Sequence, residues 1–323
     1  MSKAEKIRKE MNRRGGECKP FVFLIDFLMQ NPLIFEIDDP ENQILWKTPD
    51  KENFNQQHVK KELKYWKISP GSFENYSAGF NEIMFHILNG DTYLLNFTQP
   101  TKIETNLTIE DIFYASSARY KICLKDKFVC FSPETFIQTK NGKIYSFPMK
   151  GTIDADIENA DEIILSDTKE IAEHNTIVDL IRNDLSLVAE NVTVEKFRFL
   201  THIKTNNKNL WQVSSQISGV LPKNYNEKIG DIIFKMLPAG SVSGAPKKRT
   251  IEIISDTENY QRGYYTGIFG IFDGKDVDSC VLIRYIENQN GQLVYKSGGG
   301  ITFMSTAKNE YDELIKKVYV PVD

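Results

Sequence analysis

The sequence predicts an α+β fold, because its helix patterns and its strand patterns fall in separate runs along the chain. Strand and turn signals fill residues 128–148, and a long helical pattern follows at about 168–189. Further strand signals cover residues 267–286 and 293–297, between two later helices. A regular alternation of single strands with single helices would instead indicate a βαβ succession and a parallel sheet.

The first hundred residues carry four weaker signals. Residues 1–19 are polar and basic, and we interpret them as a short helix or a mobile arm. Residues 38–57 are rich in Asp, Asn, Pro and Lys, which predicts a loop. A helical pattern at 80–88 ends at Asn89-Gly90-Asp91, and a strand is predicted at 93–97.

Two stretches in the middle of the chain are easier to interpret. Asn141-Gly142 predicts a hairpin turn within the strand signals of 128–148. The helix that runs from about Thr168 to Ala189 has Asp167 before it and Glu170 three residues later, which is a capping pattern. Apolar residues recur at helical spacing along it: Ile171, Val178, Ile181, Leu185 and Val188.

Two more helices are predicted in the last third of the chain. One starts near Pro246, because proline suits the first turn of a helix, and continues through Ile251 and Ile254. The other runs from about Thr306 to Val318 and has an apolar stripe of Tyr311, Leu314, Ile315 and Val318.

Composition and charge narrow the class of protein. The chain has 323 residues, of which 41% are hydrophobic and 26% charged, as in a globular protein. A net charge of -4 offers no general attraction to nucleic acid or to an anionic membrane. The most apolar stretch, 21–29, is too short to span a bilayer and contains Asp26, and no signal peptide is evident. The four cysteines show no C-x-x-C spacing, so we expect a cytoplasmic protein with free thiols.

Two glycine-containing loops are candidates for ligand binding. In 237–247 a run of small residues leads into a helix start, where backbone N–H groups bind anions. Lys247 and its two basic neighbours lie in the first turn, which the helix dipole makes unfavourable for cations unless an anion is bound. The alternative is a packing turn with solvated lysines. The second loop, 297–302, lets backbone approach a ligand, but a bulge or turn explains it more simply.

Two glutamate pairs suggest a divalent metal. Glu170 and Glu173, and likewise Glu310 and Glu313, are spaced i, i+3 on predicted helices. Each pair places like charges on one face, which costs a few tenths of a kcal/mol unless a cation is present. Carboxylates from two helices, with waters and a substrate carboxylate, would suit Mg²⁺. Solvated helix faces are the commoner explanation of such pairs.

Nine segments together resemble the chorismate-utilising family, which includes the anthranilate, aminodeoxychorismate, isochorismate and salicylate synthases. Each segment alone is weak, but all nine occur in family order from about residue 71 to the C-terminus. They are 132–134, 148–152, 170–173, 177–184, 238–247, 262–267, 283–284, 297–301 and 311–313. The resemblance implies the family's α+β fold, with two large, mainly antiparallel sheets packed face to face and helices outside. Residues 71–323 would be the chorismate-binding catalytic domain, and 1–70 a short segment contributing to the same domain.

The resemblance also implies a metal site. Glu173 and Glu313 match the family's two Mg²⁺ ligands, and Glu170 and Glu310 lie close to them in the metal set. The metal would hold the ring carboxylate of chorismate. Lys317 matches a lysine near that same carboxylate.

The remaining substrate contacts are implied in the same way. Arg284 and Tyr265 match residues that bind the enolpyruvyl carboxylate, together with the backbone of Gly298 and Gly300. Ser243 matches a hydroxyl that faces the substrate. The substrate-binding set is completed by Thr152 and Lys247.

Lys150 distinguishes subfamilies. Its motif, Pro148-Met149-Lys150-Gly151-Thr152, is similar to that of the aminodeoxychorismate synthases, whereas anthranilate synthases typically carry alanine at the lysine position. Desolvation can keep a buried lysine neutral and nucleophilic, so we expect a lowered pKa for Lys150. By resemblance, Lys150 would add to C2 of chorismate as the C4 hydroxyl leaves, and ammonia would then attack C4. Glu134 matches the carboxylate that moves protons in those steps.

The expected product is therefore 4-amino-4-deoxychorismate, for 4-aminobenzoate and folate synthesis. No cysteine lies in a glutaminase context, so we expect a separate glutamine amidotransferase subunit as partner. The alternatives are anthranilate synthase component I and a non-catalytic chorismate-binding subunit. Two positions depart from the family pattern: Gln212 replaces a histidine, and Met304 replaces an acidic residue.

Overall fold

The computed structural model describes residues 1–38, 41, 43–54, 61–203 and 209–321. Its α-helices are α1 (Lys3–Gly16), α2 (Phe73–Leu88), α3 (Ile109–Ala115), α4 (Ala160–Ser166), α5 (Thr168–Ser186), α6 (Ile229–Met236), α7 (Lys247–Thr257) and α8 (Ala307–Lys316). Short 3₁₀ turns occupy Tyr225–Lys228 and Gly240–Val242.

The strands lie between α1 and α8 along the chain. They are β1 (Phe21–Ile25), β2 (Leu33–Phe35), β3 (Ile44–Lys47), β4 (Trp66–Pro70), β5 (Leu94–Thr105), β6 (Tyr120–Leu124), β7 (Phe128–Ser132), β8 (Thr135–Lys140), β9 (Lys143–Ser146), β10 (Met149–Asp154), β11 (Glu190–Ile203), β12 (Leu210–Val220), β13 (Gly244–Ala245), β14 (Ile268–Phe272), β15 (Val277–Val281), β16 (Tyr285–Gln289) and β17 (Gln292–Ile301).

The strands form two antiparallel sheets. In the first sheet the order is β10-β12-β9-β8-β15-β14-β1-β2, and β11 pairs with β12. In the second the order is β13-β5-β17-β16-β7-β6-β3, and β4 pairs with β5. Every strand pair between the described residues runs antiparallel. The prediction of an α+β fold with two mainly antiparallel sheets is therefore confirmed.

The core between the sheets explains why β1 is apolar throughout. Val22 and Leu24 face the second sheet, where they join a cluster with Trp46, Tyr120 and residues of β7 and β14. The alternate residues of β1 face α1, α5 and α6 on the other side of the first sheet. Because both faces of this strand are covered, all five residues are buried and the usual alternation with polar residues is lost.

Helices cover the outer face of each sheet. Helices α2, α7 and α8 pack on the second sheet through a cluster that includes Phe80, Ile253 and Leu314. Helix α1 packs on α6 so closely that a Cβ on Gly230 would lie 2.2 Å from the carbonyl oxygen of Arg8. Residues 1–19 therefore contain a packed helix, which excludes the mobile-arm interpretation for this segment.

Most local predictions agree with the structure. Asp167 accepts a hydrogen bond from the backbone N–H of Glu170 at the start of α5, as the capping pattern predicts. Asn141 and Gly142 both have positive φ in the hairpin turn between β8 and β9. Helices α2, α7 and α8 and strand β5 lie where helices and a strand are predicted, but α2 begins seven residues earlier than predicted and β5 ends eight residues later.

Two local predictions are wrong. The predicted loop 38–57 contains β3, an edge strand that pairs with β6 through Ile44 and its neighbours; residues 39, 40, 42 and 55–57 of that prediction lie outside the described chain. The glycine run 298–300 is not a turn. It continues β17 and pairs with β5, where a Cβ on Gly298 would lie 2.4 Å from the carbonyl oxygen of Phe97.

A buried ion pair supports the loop that precedes α7. Arg262 donates two hydrogen bonds to the carboxylate of Glu258, at 2.8 and 2.7 Å. The same guanidinium also donates to the carbonyl oxygens of Val242 and Asn96. Both charged side chains are almost fully buried, so each depends on the other for its stability.

Replacing Arg262 with alanine is expected to lower the free energy of unfolding by about 3–5 kcal/mol, because it leaves the Glu258 carboxylate buried without its charge partner. Arg249 is the matched control, since its pairing with Glu252 is exposed and such pairs contribute about 0–1 kcal/mol. Urea unfolding of both variants measures the difference. Equal losses for the two arginines would contradict this assignment.

Candidate active site

A cavity of about 530 Å³ opens at one end of the two sheets. Its walls come from β10, α5, the loop before α7, β17 and α8. Of the fourteen site residues predicted from the sequence, thirteen line it; Lys247 does not. The thirteen are Glu134, Lys150, Thr152, Glu170, Glu173, Ser243, Tyr265, Arg284, Gly298, Gly300, Glu310, Glu313 and Lys317.

Lys150 reaches the cavity because β10 has a bulge. The register with β12 shifts between Lys150 and Thr152, and the intervening Gly151 has φ of +76°. That backbone conformation favours glycine. A Cβ on Gly151 would also lie 2.8 Å from a carboxylate oxygen of Glu170. The glycine of this motif therefore permits both the bulge and the close approach of helix α5.

The ammonium group of Lys150 donates a hydrogen bond to Glu173 Oε2 at 2.8 Å. Burial of the ammonium lowers the pKa of Lys150, but the carboxylates of Glu173, Glu170 and Glu313 outweigh burial and raise that pKa above its usual value. The expectation of a lowered pKa is therefore wrong for the protein without metal or substrate. The pKa of Lys150 is raised because the glutamates face the same cavity as the lysine.

Helix α8 contributes the second glutamate pair. Glu310 is buried and accepts a hydrogen bond from Ser305 Oγ at 2.8 Å. Glu313 is more exposed and pairs with Lys317 Nζ at 2.7 Å. Lys317 also donates to the carbonyl oxygen of Gly298, which ties α8 to the glycine-rich end of β17.

Glu134 contributes a fifth carboxyl group to the lining of the cavity. It accepts a hydrogen bond from the hydroxyl of Ser241. Burial raises the pKa of Glu134, although Ser241 and Lys150 act in the opposite direction. A carboxyl group with a raised pKa is suited to taking up and releasing a proton near neutral pH. Ser241 was not predicted from the sequence, because its contact with Glu134 joins segments 107 residues apart.

The loop before α7 places one predicted residue in the cavity and another outside it. Ser243 lines the cavity, and its hydroxyl donates to the carbonyl oxygen of Ala239 at 2.9 Å. Lys247 points away. Its ammonium is held by Asp184 Oδ1 at 2.6 Å and by the carbonyl oxygen of Met236 at 2.9 Å. Asp184 thus offsets the charge of Lys247 at the helix start, so neither a bound anion nor a substrate contact explains this lysine.

Arg284 and Tyr265 both line the cavity. Tyr265 is buried, and Arg284 donates to the carbonyl oxygen of Lys317 at 3.0 Å. The guanidinium of Arg284 also lies 4.9 Å from the centre of the exposed ring of Tyr319. These contacts leave a cationic group at the cavity wall, held in place by its backbone and aromatic partners.

Two residues that line the cavity have strained backbone angles. Arg284 has φ of +55° and the neighbouring Thr266 has φ of +61°. Residues with side chains rarely adopt such angles, and a β-branched residue does so least of all. Strained residues of this kind cluster at functional sites. Thr266 lies in the family segment 262–267 but was not among the predicted site residues; it lines the cavity beside Tyr265.

Gln212 lies on β12, opposite the lysine motif of β10. It is the cross-strand partner of Thr152 and also lines the cavity. The amide of Gln212 therefore takes a position in the wall where the family pattern has a histidine. Met304, the other departure, is not among the residues that line the cavity.

Four glutamates of the cavity are candidate ligands for a divalent metal. Glu170, Glu173, Glu310 and Glu313 offer carboxylate oxygens from two helices to one cavity, which is the chemistry Mg²⁺ prefers. Over the described ranges, no three His, Cys, Asp or Glu side chains stand close enough together to form a metal site. Glu173 and Glu313 are drawn instead toward Lys150 and Lys317. The ligand types fit Mg²⁺, and the carboxylates would have to converge to bind it.

The sequence matches the chorismate binding enzyme family over residues 32–323, nearly the whole chain. This chain belongs to the chorismate-binding enzyme family. The match includes every residue of the cavity described above. The resemblance inferred from the nine segments is therefore confirmed.

Relatives within the family have different names. The chain is 46% identical over 316 residues to "Uncharacterized PabA-like protein" of Haemophilus influenzae, covering 98% of this chain and 96% of that protein. It is 32% identical to "Anthranilate synthase component 1" of Acetivibrio thermocellus, covering 84% of this chain and 56% of that protein. It is also 32% identical to "Aminodeoxychorismate synthase component 1" of Salmonella typhimurium, covering 75% of this chain and 56% of that protein. The chain thus spans little more than half the length of the last two relatives.

A solved structure agrees with this family assignment. Anthranilate synthase component I from Streptococcus pneumoniae superposes with a TM-score of 0.68 at 28% identity, over 80% of this chain and 59% of that one. As for the membrane, none of the helices in the described part of the chain combines the length and apolarity needed to cross a bilayer.

Proposed function

We propose that this chain converts chorismate and ammonia into 4-amino-4-deoxychorismate, with Lys150 as the nucleophile. The observation that carries the proposal is the position of Lys150. Its ammonium group faces the family's substrate cavity from β10, bound to Glu173 and close to the glycine-rich end of β17. A relative named aminodeoxychorismate synthase component 1 is consistent with this function.

Chorismate carries two carboxylates, and the cavity offers two places for them. Arg284 and Tyr265 form one of these places. The glutamates of α5 and α8, with Lys317, form the other. The backbone of Gly298 and Gly300 borders both places, and the absence of side chains lets a ligand approach that backbone closely.

Charge balance supports a divalent cation at the second place. Five glutamates line the cavity: Glu134, Glu170, Glu173, Glu310 and Glu313. Four basic side chains face them, namely Lys150, Arg284, Lys316 and Lys317, while Lys296 is paired with Glu287. With Glu134 protonated, four glutamates face four basic side chains, and a dianionic substrate would then leave an excess of negative charge. We propose that Mg²⁺ binds through Glu173 and Glu313, with Glu170 and Glu310 beside them, and offsets that charge at the ring carboxylate.

In the proposed reaction Lys150 acts twice. The neutral amine forms a bond to C2 of the ring while the double bond shifts and the C4 hydroxyl leaves as water. Ammonia then forms a bond to C4, the double bond shifts back, and the bond from C2 to the lysine nitrogen breaks. The ammonium form of Lys150 must first give up a proton, and Glu173, at 2.8 Å from Lys150 Nζ, is placed to take that proton before it binds Mg²⁺.

Glu134 is the residue proposed to move protons at the reacting carbons. Its raised pKa allows it to donate a proton to the leaving hydroxyl and then to accept one from the incoming ammonia. The hydroxyl of Ser241 holds the carboxyl group in place through its hydrogen bond. Thr152 and Ser243 are proposed to contact the substrate from the walls beside it.

The source of ammonia gives a direct prediction. No Cys among the described residues lies in the cavity, and three of the four cysteines are buried. We therefore expect the purified chain with chorismate and Mg²⁺ to form 4-amino-4-deoxychorismate from ammonium salts but not from glutamine. Adding a glutamine amidotransferase subunit should restore use of glutamine. Product analysis by liquid chromatography with mass detection tests both statements, and glutamine-dependent turnover by the single chain would refute the second.

Anthranilate synthase component I is the second candidate. A relative of that name at 32% identity favours it. That reaction aminates C2, eliminates pyruvate and gives an aromatic product, whereas 4-amino-4-deoxychorismate keeps the enolpyruvyl group. Lys150 argues against it, because a lysine amine at the site would compete for C2. A non-catalytic chorismate-binding role would be expected to lose Glu173, Glu313 or Arg284, and all three line the cavity.

A further inference from the structure

Tyr319 is a residue of the substrate cavity that lies outside all nine family segments. It lines the cavity together with Lys317, two residues earlier in the short segment 317–321 that follows helix α8. The side chain of Tyr319 is 45% exposed, so its ring is not part of the hydrophobic core. A large aromatic side chain at the cavity wall therefore has no role yet in the proposed reaction.

The backbone of segment 317–321 is held in place on both sides of Tyr319. Its neighbours Val318 and Val320 are buried in a core cluster that includes residues of the second sheet. Trp66 Nε1 donates a hydrogen bond to the carbonyl oxygen of Val318 at 3.2 Å, and the backbone N–H of Ser117 donates to that of Pro321 at 2.6 Å. These anchors fix the backbone from which the ring reaches the cavity wall.

The side chain of Arg284 contacts this segment at two points. Its Nη1 donates a hydrogen bond to the carbonyl oxygen of Lys317 at 3.0 Å, and its guanidinium carbon lies 4.9 Å from the centre of the Tyr319 ring. A cation is attracted to the face of an aromatic ring through its charge and does not use its N–H groups for this contact. Since arginine has five N–H donors, the two contacts leave several of them for a carboxylate.

We propose that Tyr319 is a positioning residue, whose ring holds the guanidinium of Arg284 at the place where it binds the enolpyruvyl carboxylate of chorismate. The inference rests on the part of the proposed function that assigns this carboxylate to Arg284. A long arginine side chain has many rotamers, and ordering them on binding costs free energy. The ring of Tyr319 restricts those rotamers before the substrate arrives, so less of that cost is left for the binding step.

The contact is expected to affect binding and not chemistry. The enolpyruvyl carboxylate is not bonded to the carbons that react, so its contacts contribute equally to the ground state and the transition state. Tyr319→Ala should therefore raise KM for chorismate about fivefold, while kcat stays within about twofold of the parent. Tyr319→Phe keeps the ring and removes the hydroxyl, and its KM should stay within about twofold of the parent.

Tyr65→Ala is the matched control for loss of an exposed aromatic ring. Tyr65 is also 45% exposed, and Lys67 Nζ lies 5.9 Å from the centre of its ring. Neither of these two residues lines the substrate cavity. The control should keep both KM and kcat of the parent. Thermal unfolding of each variant shows that it is folded at the assay temperature.

A double-mutant cycle tests whether Tyr319 acts through Arg284. Arg284→Gln removes the charge that the ring attracts, so in this background Tyr319→Ala should change kcat/KM for chorismate by less than about twofold. A loss of about fivefold in both backgrounds would overturn the proposal, because Tyr319 would then act without Arg284. An equal loss in Tyr319→Phe and Tyr319→Ala would also overturn it, because the hydroxyl and not the ring would be the active group.

Direct binding separates this proposal from the proposed function. Titration calorimetry with chorismate and Mg²⁺, without ammonia, measures Kd for each variant independently of product formation. If the parent forms no 4-amino-4-deoxychorismate but Tyr319→Ala raises Kd and Tyr319→Phe does not, the proposed reaction fails and the positioning role stands. If the parent forms the product and Tyr319→Ala keeps the KM and Kd of the parent, the positioning role fails and the proposed function stands.

Discussion

Replacing Lys150 with alanine is expected to lower synthesis of 4-amino-4-deoxychorismate from chorismate and ammonium at least about a hundredfold. The variant loses the nucleophile that activates C4, while the cavity and its other charged groups remain. Steady-state rates at saturating chorismate measure the effect. Lys248→Ala is the matched control, because Lys248 lies at the start of α7 and is not among the residues that line the cavity.

An undiminished rate in Lys150→Ala would contradict the mechanism and make Lys150 a binding residue at most. The identity of the remaining product then becomes informative. Direct attack of ammonia on C2 would give an aminated isomer or anthranilate, and the anthranilate synthase candidate would be favoured. Lys150→Arg separates charge from nucleophilicity, since arginine keeps the cation and does not deprotonate in proteins. We expect it to be as inactive as the alanine variant.

Turnover of chorismate is expected to require Mg²⁺, and Glu313→Ala is expected to abolish it, with a loss of at least about a hundredfold. The variant removes one of the two carboxylates proposed to bind the metal. In the metal-free protein the same change should alter the free energy of unfolding by no more than about 1 kcal/mol, because it removes one of several like charges and an exposed pair with Lys317. Thermal unfolding with and without Mg²⁺ provides a readout that is independent of turnover. Mg²⁺ should stabilise the parent protein and not the variant.

Asp312→Ala is the matched control for Glu313. It removes a carboxylate from the same helix, one residue away, but Asp312 is paired with Lys308 and does not line the cavity. It should leave both turnover and the response to Mg²⁺ unchanged. Full activity of the parent protein in excess chelator would contradict the metal assignment.

Sequence patterns located the elements of this fold when the signal was local. Asp167 and Glu170 fixed the start of α5, and Asn141-Gly142 fixed the turn between β8 and β9. Each of these features depends on hydrogen bonds or backbone angles within four residues. The apolar stripe of α8 was equally local, and Leu314 is buried as the stripe predicts.

Long-range contacts account for the predictions that were wrong. Nothing near Lys247 in the sequence shows that Asp184, 63 residues away, binds its ammonium group and removes it from the cavity. Strand β3 lies in a segment of polar composition and exists because Ile44 pairs with β6. The glycines at 298–300 form a strand because they pair with β5, whose backbone comes too close to Gly298 for a side chain there.

The pKa of Lys150 could not be predicted from the residues next to it in the sequence. Burial alone would have lowered its pKa, as the sequence motif suggested. The carboxylates that reverse this effect come from α5 and α8, and the two helices meet at the cavity only in the folded chain. Resemblance to the family could place these residues in one site. It could not give the balance of charges in the protein before metal and substrate bind.

A covalent bond between Lys150 and the substrate is the most direct test of the proposed function. The protein should be mixed with chorismate and Mg²⁺ without ammonia, quenched with acid and digested. Mass spectrometry of the peptide that contains 148–152 should show an added mass equal to chorismate minus one water, and Lys150→Ala should show none. An unmodified peptide, under conditions in which adding ammonium gives product, would contradict the proposal that Lys150 is the nucleophile.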